Sequence, residues 1–150
     1  MTMRTVLTLL LVAGCVTSPS KKDKSQHPDR DVDGDGVRED AYHDIIAKLD
    51  SEDEQQGAMH VARGMLTMVE HSEDATLVIA AAKEQTQGIE CLAWSHPGSV
   101  HALVSELQNL HMDTAERGEA MMRAQAHLNG MVTRQWSEED RQTACVEEVL

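Results

Sequence analysis

An all-α helical bundle behind a flexible tether is the fold class the sequence predicts, and three observations predict it. From about residue 39 onward, apolar residues recur at three- and four-residue intervals. Ser or Asp residues followed by acidic residues punctuate that pattern at the places where helices would begin. No stretch alternates apolar and polar residues long enough to make a useful strand, and no internal repeat is present. The expected architecture is therefore a bundle of about five or six helices around one core.

Taken in order, residues 39–49 place Ile45, Ile46 and Leu49 at helical spacing. Ser51 through Glu54 reads as a capping box, with acidic residues in the first turn that complement the helix dipole. The helix it opens puts Ala58, Ala62, Met65 and Val69 on one face, joined by Met59 and Leu66. Ser72-Glu73-Asp74 starts the next helix, with Leu77, Val78 and Ala81 expected inside and Gly88 as its C-terminal stop. A separate short piece is expected through Ile89, Cys91, Leu92 and Trp94, ended by His96-Pro97-Gly98. Val100, Leu103, Val104, Leu107 and Leu110 form the cleanest amphipathic stripe. Asp113 to Glu116 resembles another capping box and leads to Met121, Ala124, Leu128 and Met131. Ser137-Glu138-Glu139 caps a terminal helix carrying Cys145, Val146, Val149 and Leu150. With no Phe in the chain, the core is expected to use Leu, Val, Met, Ala and the two Trp.

Ahead of the bundle, Arg4, the apolar run Val6–Val12 and the small residues after it have the layout of a secretory signal. The run is too short for a spanning helix, which needs roughly 20 apolar residues. Leu11-Val12-Ala13-Gly14-Cys15 resembles the lipobox of bacterial lipoproteins. The resemblance covers residues 1–15 and implies a diacylglycerol on the Cys15 thiol, cleavage before Cys15 and acylation of the new amino group. Two or more acyl chains, at about 0.8 kcal/mol per buried CH2, make such an anchor effectively stable. Val16 follows the Cys where an inner-membrane retention signal has Asp. The resemblance thus implies the outer membrane with the domain facing the periplasm, or the outer face of the membrane in a single-membrane host. Residues 16–29, rich in Ser, Pro, Lys and Gln, read as a flexible linker. The expected organisation is a signal over 1–14, a lipidated N-terminus and linker over 15–30, and the Asp-rich loop with one helical domain over 31–150.

The formal charge of −13 argues against nucleic acid and anionic head groups as partners, and toward cations, basic peptides or basic proteins. With Cys15 lipidated, Cys91 and Cys145 are an even pair in an oxidising compartment, and a disulfide is expected between them. Two buried free thiols, or a mixed pair in which one Cys meets a partner chain, are the alternatives. No Cys-x-x-Cys occurs, which disfavours a redox-active pair, and the lack of Cys-x-x-Cys-His removes covalent haem attachment of the usual kind.

The most chemical stretch is Asp31-Val-Asp33-Gly34-Asp35-Gly36-Val37-Arg38-Glu39-Asp40. Alternating Asp residues set carboxylates on the inside of a tight loop, and Gly36 supplies the turn. A hard cation such as Ca2+ takes about six to eight oxygens, and this spacing offers them. Asp31, Asp33, Asp35 and Gly36 resemble the first half of an EF-hand loop, and equally the loops of dockerins and thrombospondin type 3 repeats. The second half departs from the EF-hand: position eight, normally apolar, is Arg38, and position twelve, normally a bidentate acid, is Tyr42. Counting from Asp29 puts Asp40 at position twelve but Gly36 in the apolar slot. The candidate ligands are Asp31, Asp33 and Asp35, completed by Glu39 or Asp40, or by Asp44. A solvated acidic linker is the alternative reading.

Eight His and nine Met raise a second possibility, a transition-metal or haem site in the bundle. His127 with Met131, Met68 with His71, and His111 with Met112 are the candidate pairs. No His-Glu-x-x-His, nucleophile elbow or phosphate-cradling Gly loop is present, so a non-enzyme without an organic cofactor is expected. The sequence thus points to an anchored structural or interaction module, with another envelope protein or a basic peptide as its partner. The acidic faces near Glu52–Glu54 and Glu138–Asp140 are candidate docking sites.

Overall fold

The computed structural model describes residues 30–131 and 136–146. Cys15, the linker, Asp29, Val149 and Leu150 lie outside the described residues, as do the expectations that fall on them. Six α-helices and no strand occur among the described residues: α1 (Glu39–Asp44), α2 (Glu52–Glu70), α3 (Ala75–Ser95), α4 (Val100–His111), α5 (Ala115–His127) and α6 (Glu138–Thr143). The expected all-α bundle is the fold. None of the described helices is long and apolar enough to cross a membrane.

Local signals set most of the boundaries. Ser51 and Glu54 make the full reciprocal capping box at the start of α2. Asp74, rather than Ser72, caps α3 by accepting from the N–H groups of Thr76 and Leu77. Thr114 caps α5, which frees Asp113 for other partners. Ser137 with Asp140 forms a second capping box at α6. The 39–49 segment breaks at Ile45 into six-residue α1 and a 3-10 turn, Ile46–Lys48. That break turns both Ile45 and Ile46 into the core.

The scaffold is the antiparallel pair α2–α3, which makes the most extensive contact in the molecule. Its closeness has a steric origin. A Cβ on Gly88 would lie 2.5 Å from the carbonyl oxygen of Gly57, and one on Gly64 would lie 2.6 Å from that of Ala81. Gly88 therefore does not end a helix. It lies inside α3, where the absence of a side chain lets α2 approach, and the segment carrying Cys91 and Trp94 is continuous with the helix before it. A C-cap and a close helix crossing leave the same letter in the sequence, and here the crossing is the one in use.

Around this pair the core gathers Val61, Met65, Met68, Val78, Leu92, Leu103, Leu107 and Met121. Four apolar residues depart from expectation. Leu77 and Trp94 are exposed, as are Met131, which lies beyond the end of α5, and Val146, which with Cys145 lies beyond the end of α6. Leu77 lies in the first turn of α3 and Trp94 in its last, so the core is aliphatic and Met-rich with little from Trp94. Cys91 and Cys145 are joined, with 4.9 Å between their Cα atoms. The bridge fastens the short α6 to α3, helped by Arg141 Nε on Glu90 Oε2 at 2.6 Å and by Gln87 Nε2 donating to the Ala144 carbonyl at 3.1 Å.

Candidate metal centre

The Asp-rich loop folds through hydrogen bonds from its own backbone. Asp31 Oδ1 accepts from the N–H of Gly34 at 2.7 Å, and Oδ2 from that of Gly36 at 3.0 Å. Asp33 accepts from the N–H of Asp35 and Asp35 from that of Val37. Gly34 and Gly36 both have φ of 83°, a conformation that costs other residues roughly 1–2 kcal/mol. The carboxylates of Asp31, Asp33 and Asp35 consequently converge, with one oxygen from each within 4.8 Å of the others. Each ionised carboxylate has about four acceptor sites, so the backbone bonds leave lone pairs for a cation.

Glu39 and Asp40 go separate ways. Glu39 Oε1 accepts from Val32 N–H at 3.3 Å, and its other oxygen lies 3.7 Å from His43 Nε2, so it stays beside the loop. Asp40 turns away: its two oxygens receive Nε and Nη2 of Arg38 at 3.0 and 2.6 Å. The structure thus brings Asp31, Asp33 and Asp35 together, keeps Glu39 at their edge and directs Asp40 elsewhere. Asp33, Asp35, Val37, Glu39, Tyr42, His43 and Met59 line a cleft of about 420 Å³ at this site. Tyr42, at the twelfth position, stands half-exposed at its side.

Two arginines fix the loop to the bundle, and neither role is among the sequence expectations. Arg63 on α2 donates from Nε to the Asp35 carbonyl at 2.8 Å, and its stem passes Gly36 where a Cβ would come within 3.1 Å. Arg38, only 1% exposed, fills the position that an EF-hand gives to an apolar residue. Its guanidinium continues past Asp40 to the Leu110 carbonyl at 2.8 Å and to Asp113 Oδ2 at 3.2 Å. Burial works to raise the Asp113 carboxyl, but hydrogen bonds from Arg117 and Arg38 outweigh it and hold the group below its ordinary value. The signal for Arg38 is the misfit itself, a charge in an apolar slot with an Asp two residues on.

The His and Met pairs are not brought together into a site. Met68 is buried and His71 exposed; His127 and Met131 are both exposed, on either side of the α5 terminus. His111 is buried with its Nδ1 donating to the Leu107 carbonyl at 2.8 Å. Among the described residues, the one group of three or more His, Cys, Asp or Glu gathered closely enough to hold a metal is Asp31, Asp33 and Asp35. At the far end of α2, Glu54 Oε1 meets His96 Nδ1 at 2.5 Å. Burial pushes the Glu54 carboxyl up, yet the His96 contact and the Ser51 and Asp50 N–H groups bring it below its ordinary value.

No protein-family model, curated protein or solved structure matches this chain.

Proposed function

We propose that this chain is a lipid-anchored, non-catalytic interaction module of the bacterial envelope, held at Cys15, with its Asp-rich loop as a Ca2+ site. The observation that carries the reading is the convergence of Asp31, Asp33 and Asp35 on a loop stapled to α2 by Arg63. A divalent cation there would relieve the mutual repulsion of the three carboxylates and stiffen the base of the domain. Its remaining oxygens would come from Glu39, backbone carbonyls and water. Supporting the non-catalytic reading, Glu54 and Asp113 both shift downward, toward permanent anions rather than toward the near-neutral values of a working acid–base group.

The partner class follows from charge. A chain carrying −13 suits a basic segment of another envelope protein, with the exposed Glu52, Asp53, Glu138 and Glu139, away from the ion's ligands, as the carboxylates it would meet.

The test is a thermal melt with millimolar Ca2+ and with chelator. Extracellular sites of this class bind at about 10⁻⁴–10⁻³ M, so about 1 mM Ca2+ should add roughly 0.4–1.4 kcal/mol. Asp33→Ala with Asp35→Ala should remove the increment, and an increment that survives the double change would place the ion elsewhere. For the anchor, Cys15→Ser should release the protein from the membrane fraction, and continued membrane association would refute lipid attachment at that residue.

A further inference from the structure

The corner where the loop meets α4 and α5 contains a group that neither the ion reading nor the partner reading uses. His111 ends α4, is 1% exposed, and has no partner for its buried Nε2. Because Nδ1 donates to the Leu107 carbonyl, Nε2 is the bare, proton-accepting nitrogen of a neutral ring. Each charged group bearing on this corner is identifiable. Arg38 comes from the N-terminal boundary of α1, Asp40 from its first turn, Asp113 from the α4–α5 turn, and Arg117 from α5. Two cations and two anions balance, and they are tied to one another: Arg38 to Asp40 and Asp113, Arg117 to Asp113. A proton on Nε2 would add a third positive charge, with no acceptor aimed at it and both guanidinium groups nearby.

We propose that His111 is a proton-operated latch: protonation of its buried Nε2 expels Arg38 from the α4–α5 corner and releases α1 and the Asp-rich loop from the bundle.

Arg38 is the member that gives way because of what lies behind it. Asp113 and Arg117 belong to the turn and helix that follow α4 directly, whereas Arg38 arrives from the six-residue α1 segment. The principal backbone contact of α1 is with the 3-10 turn after it, not with α4 or α5. Departure of Arg38 removes the repulsion and admits water to the new N–H, working against the burial of Val37 and Ala41 and the Arg63 bond to Asp35. The direction agrees with the ring's own chemistry. Burial, and after it the charges of Arg38 and Arg117, lowers His111 below its ordinary value of 6.5, against the opposing Leu107 bond and Asp40. For a histidine lowered in the folded state, the latch is fully closed above that ordinary value and weakens as pH falls below it. His60 and His96 each face a carboxylate, Glu84 and Glu54, and neither belongs to this corner.

The experiment is amide hydrogen exchange on the full chain in detergent, corrected for the intrinsic rate, between about pH 7 and pH 5. Opening of the 37–46 segment should rise severalfold relative to the middle of α3. His111→Leu should make the ratio independent of pH. A flat ratio in the unaltered chain, or an acid response that persists in His111→Leu, would overturn the latch. Should the variant fold poorly, the His111 ring resonance of the unaltered chain decides. It should titrate below the ordinary imidazole value and share its midpoint with the exchange of the 37–46 amides. A midpoint at or above that value, or two separate midpoints, would equally reject the proposal.

Discussion

The α2–α3 pair and the Arg38 corner solve the same problem by opposite means. Along the helix pair, contact comes from taking side chains away: Gly57, Gly64 and Gly88 let backbones meet, and apolar neighbours close the gap. At the corner, contact comes from one long side chain reaching over, with the Leu110 carbonyl, Asp40 and Asp113 receiving it. The first arrangement rests on steric fit and apolar contact, although His60 of α2 also meets Glu84 of α3 across it. The second is conditional on charge. The difference teaches where this molecule is built to be permanent and where it is built to respond.

The comparison can be broken or sharpened by substitution. Removing the bridge with Cys145→Ala should cost roughly 4 kcal/mol in the chain-entropy model, read as a fall in denaturation midpoint, because the closed loop spans 54 residues. That loss should be independent of Ca2+, since α6 packs on α3, whereas the loop is held by Arg63 of α2. Gly88→Ala should cost about 3 kcal/mol, because the new methyl meets backbone oxygen and not a yielding side chain. A neutral result would mean that the two helices can separate without penalty. Arg38→Met keeps the stem and deletes the guanidinium, and should cost about 2 kcal/mol. Its loss should appear first as faster exchange in α1, and uniform destabilisation would deny the corner a separate role. Gly36→Ala, at φ of 83°, should cost about 1 kcal/mol and weaken any Ca2+ increment in the same melt. An unchanged increment would show that loop geometry does not govern ion binding.

The features of the fold legible in sequence are those written locally. Ser51 with Glu54 and Ser137 with the acidic residues after it announce helix starts that the structure realises. The stripe from Val100 to Leu110 packs as its spacing requires, and the Cys91–Cys145 pairing is present. What cannot be read is decided between distant residues. Gly88 resembles a stop because nothing local says that Gly57, 31 positions earlier, will lie against it. Trp94 resembles core because an indole is large and apolar, yet it lies exposed in the last turn of α3. At the candidate site the three aspartates are legible from spacing. The diversion of Asp40 is not, because it depends on Arg38 finding a carbonyl 72 residues away.

The placement of the Arg38 bond also has a mechanical meaning. The Glu39 N–H donates to the Arg30 carbonyl at 3.0 Å, closing the loop at its base. Tension entering the chain ahead of residue 30 would load that bond first. Arg63's hold on Asp35 would follow, then the buried Val37 together with Arg38's hold on Leu110. Encountered in chain order, these contacts would break in succession, absorbing extension while α2 and α3 behind them stay closed.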